Sequence, residues 1–557
     1  LMSKNFTFNN APSIQMRRTR IGGLSYGVNS SYSMGRVYPF YVEEVLPGDT
    51  FKVKSDMVAR LSSSFIKPIY GNLFVDVFYF FVPWRLVFDD FPCIFGENKD
   101  GYWKQTVETF APTTPANQTI SSKSIADYLE MPLGTISDPI NILYHRANAL
   151  VWNEWFRDEN YQEPVYIHKG AWHSSEVMNA NEWSPSNYTG LCPPISKYRD
   201  YFTSVLPEPQ KGDPVEINVA SASLPVVTKN STYSVTGAPA LGLGTVDGGT
   251  PFDGSSEFDI FLRTAGSNVT GKGTMYAKDV SNQGLTTLAS RVAPNNLYVD
   301  LNSLSFGTVN DLRLAFQTQK ILERDALGTR YVEHILNTFG VTNPDSRLQR
   351  PELLNAARFP LNIQQVASTN APNNDNAPNV LAQLGAYSLS KGKGGFSKAF
   401  SEYGCIIGYL AVRQFHSYQQ GLPKRYTRRK RLDYYNPALA YIGMMPVKST
   451  EIFASAPSED IFGYQRAWSE YRHHQNVVSG QMRAGADNSL DIWTIADDYE
   501  NQPVASDEFI RETPLFLDNA ITIEHGTQDQ FIFDIWNDVD AIRVMPANPM
   551  PGLIDHY

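Results

Sequence analysis

Residues 41–65, YVEEVLPGDTFKVKSDMVARLSSSF, and residues 71–91, GNLFVDVFYFFVPWRLVFDDF, decide the fold of this chain. From Phe51 onward the first stretch alternates between apolar side chains and charged ones. This period of two residues is that of a β-strand with one face in water. In the second stretch, residues 73–82 are apolar on both faces, and only Asp76 interrupts them. Such a strand needs cover above and below, which predicts a layered sheet.

The composition allows a large core and favours β structure. Of the 557 residues, 42% are hydrophobic and 13% are aromatic, which excludes a wholly disordered chain. The 38 Gly and 35 Pro favour short strands and long connections over a helical bundle.

Cys93, Cys192 and Cys405 are odd in number and far apart, so they predict neither a disulfide framework nor a cysteine-based zinc site. We see no apolar run of signal-peptide or membrane-spanning length, and we therefore expect folding in a cytoplasm.

Several strings resemble the major capsid protein of the Microviridae, the small single-stranded-DNA phages, and above all its gokushovirus branch. They are EEVLPGDTF at 43–51, DVFYFFVPWRLVFDDF at 76–91, FGVTNPDSRLQRPE at 339–352, IFGYQRAWSEYRHHQNVVSGQMR at 461–483 and AIRVMPANPMPGL at 541–553. One departure is Leu353-Leu354-Asn355, where the family more usually has Tyr-Leu-Gly. The resemblance implies a virion protein, assembled in the host cytoplasm, whose copies close into a T=1 icosahedral shell around circular single-stranded DNA.

The resemblance also implies partners, but no cofactor and no metal. The expected partners are further copies of the chain, the single-stranded DNA genome, other phage structural proteins of the DNA-binding or pilot type, and a host surface receptor. The expected mechanism is assembly rather than catalysis, so we predict that the chain is not an enzyme.

We expect a mainly β fold, namely a single eight-stranded antiparallel jelly roll of the viral capsid type, with long loop insertions and a few helices. Residues 51–61 and 73–82 would be its first two strands. The predicted organisation is a basic arm (1–37), a first part of the core (38–210), a β-rich surface insertion (211–301), and a second part of the core with helices, a basic segment and a tail (302–557).

Local signals predict four further features. Thr308 and Asp311 resemble a capping box that opens a helix, and Gly340 resembles the left-handed residue that closes one. Residues 392–395, GKGG, are expected to form a flexible basic loop, followed by a buried strand over residues 405–412.

Charge is distributed unevenly along the chain, whose net charge is −10. The first 42 residues hold five Lys or Arg and no acid, and residues 487–557 hold fifteen acids against two Arg. This split suits a shell subunit with one surface toward a polyanion and another toward solvent. The cations Arg17, Arg18 and Arg20 lie in the arm, which is either a loose tail or an internal arm that orders against neighbours or nucleic acid.

The densest positive charge lies in the string KRYTRRKRLDYY at 424–435, with six cations in the eight residues 424–431. Such cations repel one another unless a polyanion or facing acids neutralise them, and aromatic neighbours suit the free bases of single-stranded DNA. Three interpretations stay open: DNA contact, an acid-facing subunit contact and a solvated surface. The candidate DNA-binding residues here are Lys424, Arg425, Tyr426, Arg428, Arg429, Lys430 and Arg431.

Two other sets of residues are candidates for contacts outside the chain. Arg347, Arg350 and Glu352 are expected to be hydrogen-bond partners at an interface between subunits rather than catalysts. By resemblance, the insertion at 211–301 projects at the threefold axes of the particle and meets the host. Leu241, Leu243 and Phe252 are candidates for its apolar tip, and simple loop packing is the alternative.

Two other classes of protein remain as rivals. A carbohydrate-binding or carbohydrate-active jelly-roll protein would use the nine Trp and thirty Tyr, but successive acids such as Asp89-Asp90 do not give the opposed carboxylates of a glycosidase. An adhesin or fibre subunit would normally carry an export signal. Adjacent His473-His474 do not point the same way, so they do not predict a metal site.

Overall fold

The structure is a computed structural model that describes residues 17–66, 69, 71, 73–97, 109–176, 178, 182–213, 215, 309–327, 331–341, 349–367 and 384–546, together with short strands between 226 and 299. Two antiparallel sheets dominate it. Within these ranges they contain ten strands: β1 (Thr19–Ile21), β2 (Tyr26–Tyr32), β3 (Tyr38–Val45), β4 (Thr50–Leu61), β5 (Leu73–Pro83), β6 (Glu352–Pro360), β7 (Ile363–Ala367), β8 (Leu384–Ala399), β9 (Gly404–Gln414) and β10 (Phe531–Arg543).

The larger sheet has the order β1-β10-β4-β8-β7, and β2 also pairs with β10. Its centre is β4, in which Met57 lies opposite Ile535 of β10 on one side and Gly392 of β8 on the other. The smaller sheet has the order β6-β5-β9-β3. The two sheets form the expected jelly-roll sandwich, and short strands at the edges bring the number of strands above the predicted eight.

One core lies between the two sheets, and a second covers the outer side of the smaller sheet. Inward side chains of both sheets, including Phe51, Tyr79 and Phe533, fill the first core. Across β5, Phe80 and Val82 pack in a second cluster with the helix Leu143–Val151. The strand that is apolar on both faces is therefore covered on both faces, as predicted. Each fully buried side chain of this size contributes about 1.5–3 kcal/mol.

The acid that interrupts the apolar strand is neutralised by arginines from both neighbouring strands. The Arg358 Nε of β6 lies 2.6 Å from one carboxylate oxygen of Asp76, and the Arg413 Nε of β9 lies 2.9 Å from the other. A buried carboxylate is tolerated when it is paired and hydrogen-bonded in this way. Asp76 therefore joins three strands of the smaller sheet.

Two expectations about the strands are wrong. Three strands precede β4, so residues 51–61 and 73–82 are not the first two of the fold. Residues 392–395 are not a loop, because they lie inside β8 and pair with β4. Their glycines are needed for close packing: a Cβ on Gly392 would overlap the Phe359 ring, and one on Gly394 would lie 2.8 Å from the Tyr79 hydroxyl. A short glycine-rich sequence can thus be a strand pressed against aromatic rings.

The segment assigned to the basic arm contains regular structure. Residues 1–16 lie outside the described part of the chain. Beyond them, β1 pairs with β10 from Thr19 to Ile21, and β2 pairs with the same strand from Tyr26 to Tyr32. These residues belong to the edge of the larger sheet.

The chain divides into two compact units, and the second comprises Gly212–Leu322. Its strands are Val226–Thr228, Ser234–Val235, Ala238–Pro239, Leu243–Thr245, Phe258–Arg263, Thr274–Asp279, Ser290–Pro294 and Leu297–Val299. Four of them form an antiparallel sheet in which Thr274–Asp279 is an inner strand. The unit begins next to residue 211, where the predicted insertion begins.

Helices connect and cover the sheets. The α-helices are α1 (Phe91–Ile94), α2 (Ile125–Tyr128), α3 (Leu143–Val151), α4 (Val309–Leu327), α5 (Tyr331–Phe339), α6 (Asp507–Ile510) and α7 (Leu515–Asp518), and a π-helix spans Trp152–Phe156. As predicted, a helix begins directly after Thr308, and Gly340 follows α5 with a φ of 69°. Among the described helices, none combines the length and the apolar character needed to cross a bilayer.

Candidate nucleic-acid interface

The predicted basic string lies in an irregular stretch, residues 424–442, which we call the basic segment. Its regular elements are three 3-10 helices, Lys424–Tyr426, Arg431–Asp433 and Pro437–Leu439. The Asn436 side chain caps the last of these by accepting a hydrogen bond from the Ala438 N–H at 3.0 Å. Because single turns have no face to bury, most side chains of the basic segment point into solvent.

Two of the predicted DNA-binding cations anchor the basic segment to the rest of the chain. Arg428 donates to Glu470 at 2.9 Å, its side chain is only 10% exposed, and its guanidinium lies 4.5 Å from the centre of the Tyr471 ring. Lys424 approaches Glu451 at 4.0 Å. Burial raises the pKa of Glu451, and the Lys424 ammonium opposes that shift. Arg428 and Lys424 therefore hold the basic segment in place.

The other cations of the string remain available to a partner. Arg425, Arg429, Lys430 and Arg431 are exposed, and the described residues contain no ion-pair partner for their side chains. Within the basic segment, Asp433 accepts the backbone N–H groups of Arg429 and Lys430 at 2.8 and 2.7 Å, and these bonds lower its pKa. A compact group of uncompensated positive charge therefore faces outward, which is the arrangement that attracts phosphates.

Exposed aromatic side chains belong to the same segment as these cations, and the Arg425 guanidinium lies 5.2 Å from the centre of the Tyr426 ring. Tyr426 is 68% exposed and Tyr441 is 97% exposed, values that are unusual for such large rings. Tyr435 packs edge-on against Trp468 with the ring centres 5.6 Å apart. Exposed rings beside cations can stack on unpaired bases while the cations hold the phosphates. The surface therefore has both components of a single-strand binding site.

The three cations of the arm differ from one another. Arg20 forms a bidentate ion pair with Asp540 of β10, with distances of 2.6 and 2.8 Å. Arg17 and Arg18 are exposed. Of the three, Arg20 is already neutralised within the sheet, which leaves Arg17 and Arg18 as the stronger candidates for a contact with nucleic acid.

Comparison with known proteins identifies the family. The family model described as "Capsid protein (F protein)" matches residues 9–553. The chain belongs to this capsid protein family. The capsid protein of Spiroplasma virus 4, named VP1, is 32% identical over 94% of this chain and 93% of its own length. Capsid protein VP1 of Bdellovibrio phage phiMH2K is 30% identical over 99% and 98%, and that of Chlamydia phage 1 is 31% identical over 98% and 97%.

The similarity to Microviridae capsid proteins read from the sequence strings is thus confirmed over nearly the whole chain. The same comparisons favour a structural phage protein over the carbohydrate-active and adhesin alternatives, because the relatives are named as capsid proteins.

The predicted inter-subunit residues of this capsid protein are only partly described. Arg347 lies outside the described residues. The Arg350 guanidinium lies 4.9 Å from the centre of the Trp155 ring, and Glu352 accepts from Lys398 at 2.6 Å. Both residues therefore make contacts within the chain, and their role between subunits stays a prediction.

The predicted host-contact residues fall in the second unit. Leu241 and Phe252 lie outside the described residues, and Leu243 begins the short strand Leu243–Thr245. Their role at a tip stays a prediction.

The capsid protein buries several titratable groups, but the described residues contain no cluster of His, Cys, Asp or Glu fit for a metal ion. His145 in α3 is fully buried, and burial lowers its pKa to about 4, so it is a neutral core residue. His473 and His474 are both exposed.

Sequence reasoning missed the residues that support the basic segment. Glu470 and Tyr471 fix Arg428, and Trp468 packs against Tyr435. All three lie in a string that sequence reasoning used for its resemblance and for the His473-His474 pair, and not for any link to the basic segment. That string, AWSEYRHH at 467–474, mixes aromatic and basic residues just as the basic segment does. The shared composition is the signal that links the two.

Proposed function

We propose that this capsid protein is the main shell subunit of a small single-stranded-DNA phage. Copies close into a T=1 icosahedral shell around a circular genome, in the host cytoplasm, and the finished subunit resides in the virion. The protein acts through assembly and not through catalysis. Other phage structural proteins, of the DNA-binding or pilot type, join the same particle.

The observation that carries the DNA-binding part of this proposal is the basic segment. Its exposed cations, Arg425, Arg429, Lys430 and Arg431, have no acidic ion-pair partner within the described chain. Solvent alone would leave their mutual repulsion in place. Tyr426 and Tyr441 supply the stacking surfaces that distinguish a single strand from other polyanions.

Exposed apolar side chains support self-assembly. Phe110, Tyr166 and Phe339 are each more than 70% exposed in the single chain. Exposed aromatic rings of this kind are available for a contact with another protein chain. In a closed shell, the covering protein is a second copy of the same chain.

The second unit, with Leu241, Leu243 and Phe252, is proposed as the protrusion at the threefold axes that meets the host receptor. Its support is the position of the predicted insertion and the separation of residues 212–322 as a compact unit. The inter-subunit role of Arg347, Arg350 and Glu352 belongs to the same proposal.

The experiment compares the wild-type protein with the triple variant Arg429→Ser, Lys430→Ser, Arg431→Ser. Both are expected to give shells of uniform diameter by negative-stain microscopy, because none of these side chains has a partner in the described chain. Loss of three phosphate contacts, at a salt slope of about 0.7 each, predicts roughly 100-fold weaker binding of a dT oligonucleotide at 0.1 M salt. DNA content per particle should fall as well.

A matched control removes three cations from the outer face of the larger sheet, with Lys54→Ser, Lys391→Ser and Lys393→Ser. Acids lie beside these lysines: Lys393 is 3.7 Å from Asp56, and Lys54 is opposite Asp538. The control is expected to keep the oligonucleotide affinity within a few-fold. Equal affinity losses in the two variants would refute a specific role for the basic segment, and a protein that stays monomeric would refute the shell subunit.

A further inference from the structure

A wide cleft of about 1250 Å³ opens in the first unit, beside the smaller sheet. Its wall includes Tyr198 and Phe415, whose rings meet edge to face with centres 4.9 Å apart. Its rim includes residues 472–476, which follow the string that supports the basic segment. The cleft is larger than most small-molecule pockets, and it is lined by rings as well as charges.

Cationic side chains outnumber acidic ones in the lining of the cleft, and four of the cations pair with acids of the chain: Arg157 with Glu159, Lys197 with Asp497, Arg199 with Asp158 and Arg413 with Asp76. Six Lys or Arg side chains line it against three carboxylates. Asp158 is paired with Arg199 at 2.7 Å, and Asp200 accepts the Tyr418 hydroxyl at 2.6 Å, so these acids are engaged within the chain. Their capacity to balance further cations is therefore small.

The two arginines at the rim, Arg466 and Arg472, are the uncompensated cations of the cleft. The side chains of Arg466, Arg472, His473 and His474 are exposed, and within the described ranges none of them has a hydrogen-bond or ion-pair partner. All four residues line the cleft. An anion that entered the cleft would meet them first.

A second surplus of positive charge lies next to the aromatic wall: Arg413 lines the cleft, and Arg358, which does not line it, contacts Tyr198. Asp76 is one carboxylate shared by two guanidiniums, those of Arg358 and Arg413. Arg358 lies 4.0 Å from the centre of the Phe74 ring and 4.8 Å from that of Tyr198. One positive charge therefore remains without a counter-ion in an aromatic setting, which is a setting for a phosphate or a stacked base.

The cleft rim lies next to a contact of the basic segment. Glu470 and Tyr471, which hold Arg428, stand between Ser469 and Arg472, and both of these line the cleft. A strand held by the basic segment therefore passes close to the cleft rim.

We propose that the cleft is a second nucleic-acid site, which takes an unpaired nucleotide of the strand held by the basic segment. Arg466 and Arg472 bind its phosphates, and the base stacks against Tyr198 and Phe415. This inference rests on the proposed DNA-binding function and adds a specific site to it. Base capture in a lined cleft would fix the path of the strand, whereas exposed cations alone would not.

The test uses the full-length protein and a dT oligonucleotide in which some thymines are replaced by photoreactive 5-iodouracil. Cross-links located by mass spectrometry are expected at Tyr198 or Phe415 as well as in the basic segment. The double variant Arg466→Ser, Arg472→Ser is expected to bind on the order of 20-fold more weakly at 0.1 M salt, because two phosphate contacts are lost. It should also lose the cross-links in the cleft.

A second variant blocks the cleft without changing its charge. Ser204 is exposed in the lining, so Ser204→Trp places an indole in the opening. It is expected to abolish cross-links at Tyr198 and Phe415 while those in the basic segment remain. The paired change Lys391→Ser, Lys393→Ser is the control for charge loss alone, and it should leave all cross-links unchanged.

The outcomes separate the two proposals. If the oligonucleotide binds and cross-links to the basic segment, but both cleft variants bind and cross-link as the wild type does, the cleft proposal is refuted and the proposed function stands. In that case a protein segment becomes the better occupant. If the wild type binds no oligonucleotide at low salt, the proposed DNA-binding function itself fails.

Discussion

Raising the pH from 6 to 9.5 is expected to weaken the folded chain through one buried histidine, His416. Its Nδ1 lies 2.7 Å from Asp497, and its Nε2 lies 3.1 Å from Glu512. Lys197 approaches Asp497 at 3.4 Å, and the Tyr499 hydroxyl donates to the same carboxylate at 2.7 Å. Burial lowers the pKa of His416, but the two carboxylates outweigh burial and raise it to about 9.

The sign follows from the two states of the chain. A histidine whose pKa is higher in the folded state stabilises the fold fully below its ordinary value of about 6.5, and this stabilisation is lost as the pH rises through about 9. A shift of this size corresponds to about 3 kcal/mol. With an unfolding entropy of about 2.1 cal/mol/K per residue, a cooperative chain of this length would lose about 3 °C in Tm.

The assay measures Tm at pH 6 and pH 9.5 for the wild type and for His416→Gln, which cannot titrate. Staying below pH 10 matters because burial raises the pKa of Tyr418 and Tyr499, which would add their own losses above that pH. The wild type should lose about 3 °C more than the variant over this range. Equal losses in the two proteins would refute the reasoning, and a wild-type Tm that does not fall would refute it without the variant.

Two further changes test the packing of the fold. Gly395→Ala is expected to lower the free energy of unfolding, measured by chemical denaturation, by at least about 2 kcal/mol. Gly395 has a φ of +145°, and an added Cβ would overlap the Val53 carbonyl oxygen. The control Gly485→Ala should change the stability little, because nothing lies within 4 Å of the added Cβ. Glu176→Gln is expected to cost about 3–5 kcal/mol, because Arg146 then stays charged and buried without a counter-ion. The double variant Arg146→Met, Glu176→Leu should lose less stability than Glu176→Gln alone. In a double-mutant cycle with the single variants Arg146→Met and Glu176→Leu, simple additivity of the stability losses would contradict this account of the pair.

The candidate site was visible in the sequence only as a density of charge. Six cations in eight residues predicted a surface for a polyanion, and the structure leaves four of them exposed. It also pairs Arg428 with Glu470, which lies 42 residues further along the chain. Composition cannot say which cation of a cluster meets an internal acid, because that choice depends on which distant segment folds back against it.

The cleft was not predicted at all, for the same reason. Its aromatic wall joins Tyr198 to Phe415, and it is also lined by Arg413, which shares the Asp76 carboxylate with Arg358. Read one at a time, these residues look like ordinary members of strands and loops. Only the pairing of β5 with β6 and β9 brings the two guanidiniums to one carboxylate.

The sequence by itself determined the local features: the exposed face of β4, the two-sided burial of β5, and the end of α5 at Gly340. These follow from side-chain period and backbone preference, which are properties of a few neighbouring residues. Tertiary structure alone decided that residues 392–395 form a strand, and that His416 lies between Asp497 and Glu512. Such outcomes depend on contacts between segments far apart in the chain, whose pairing no local pattern specifies.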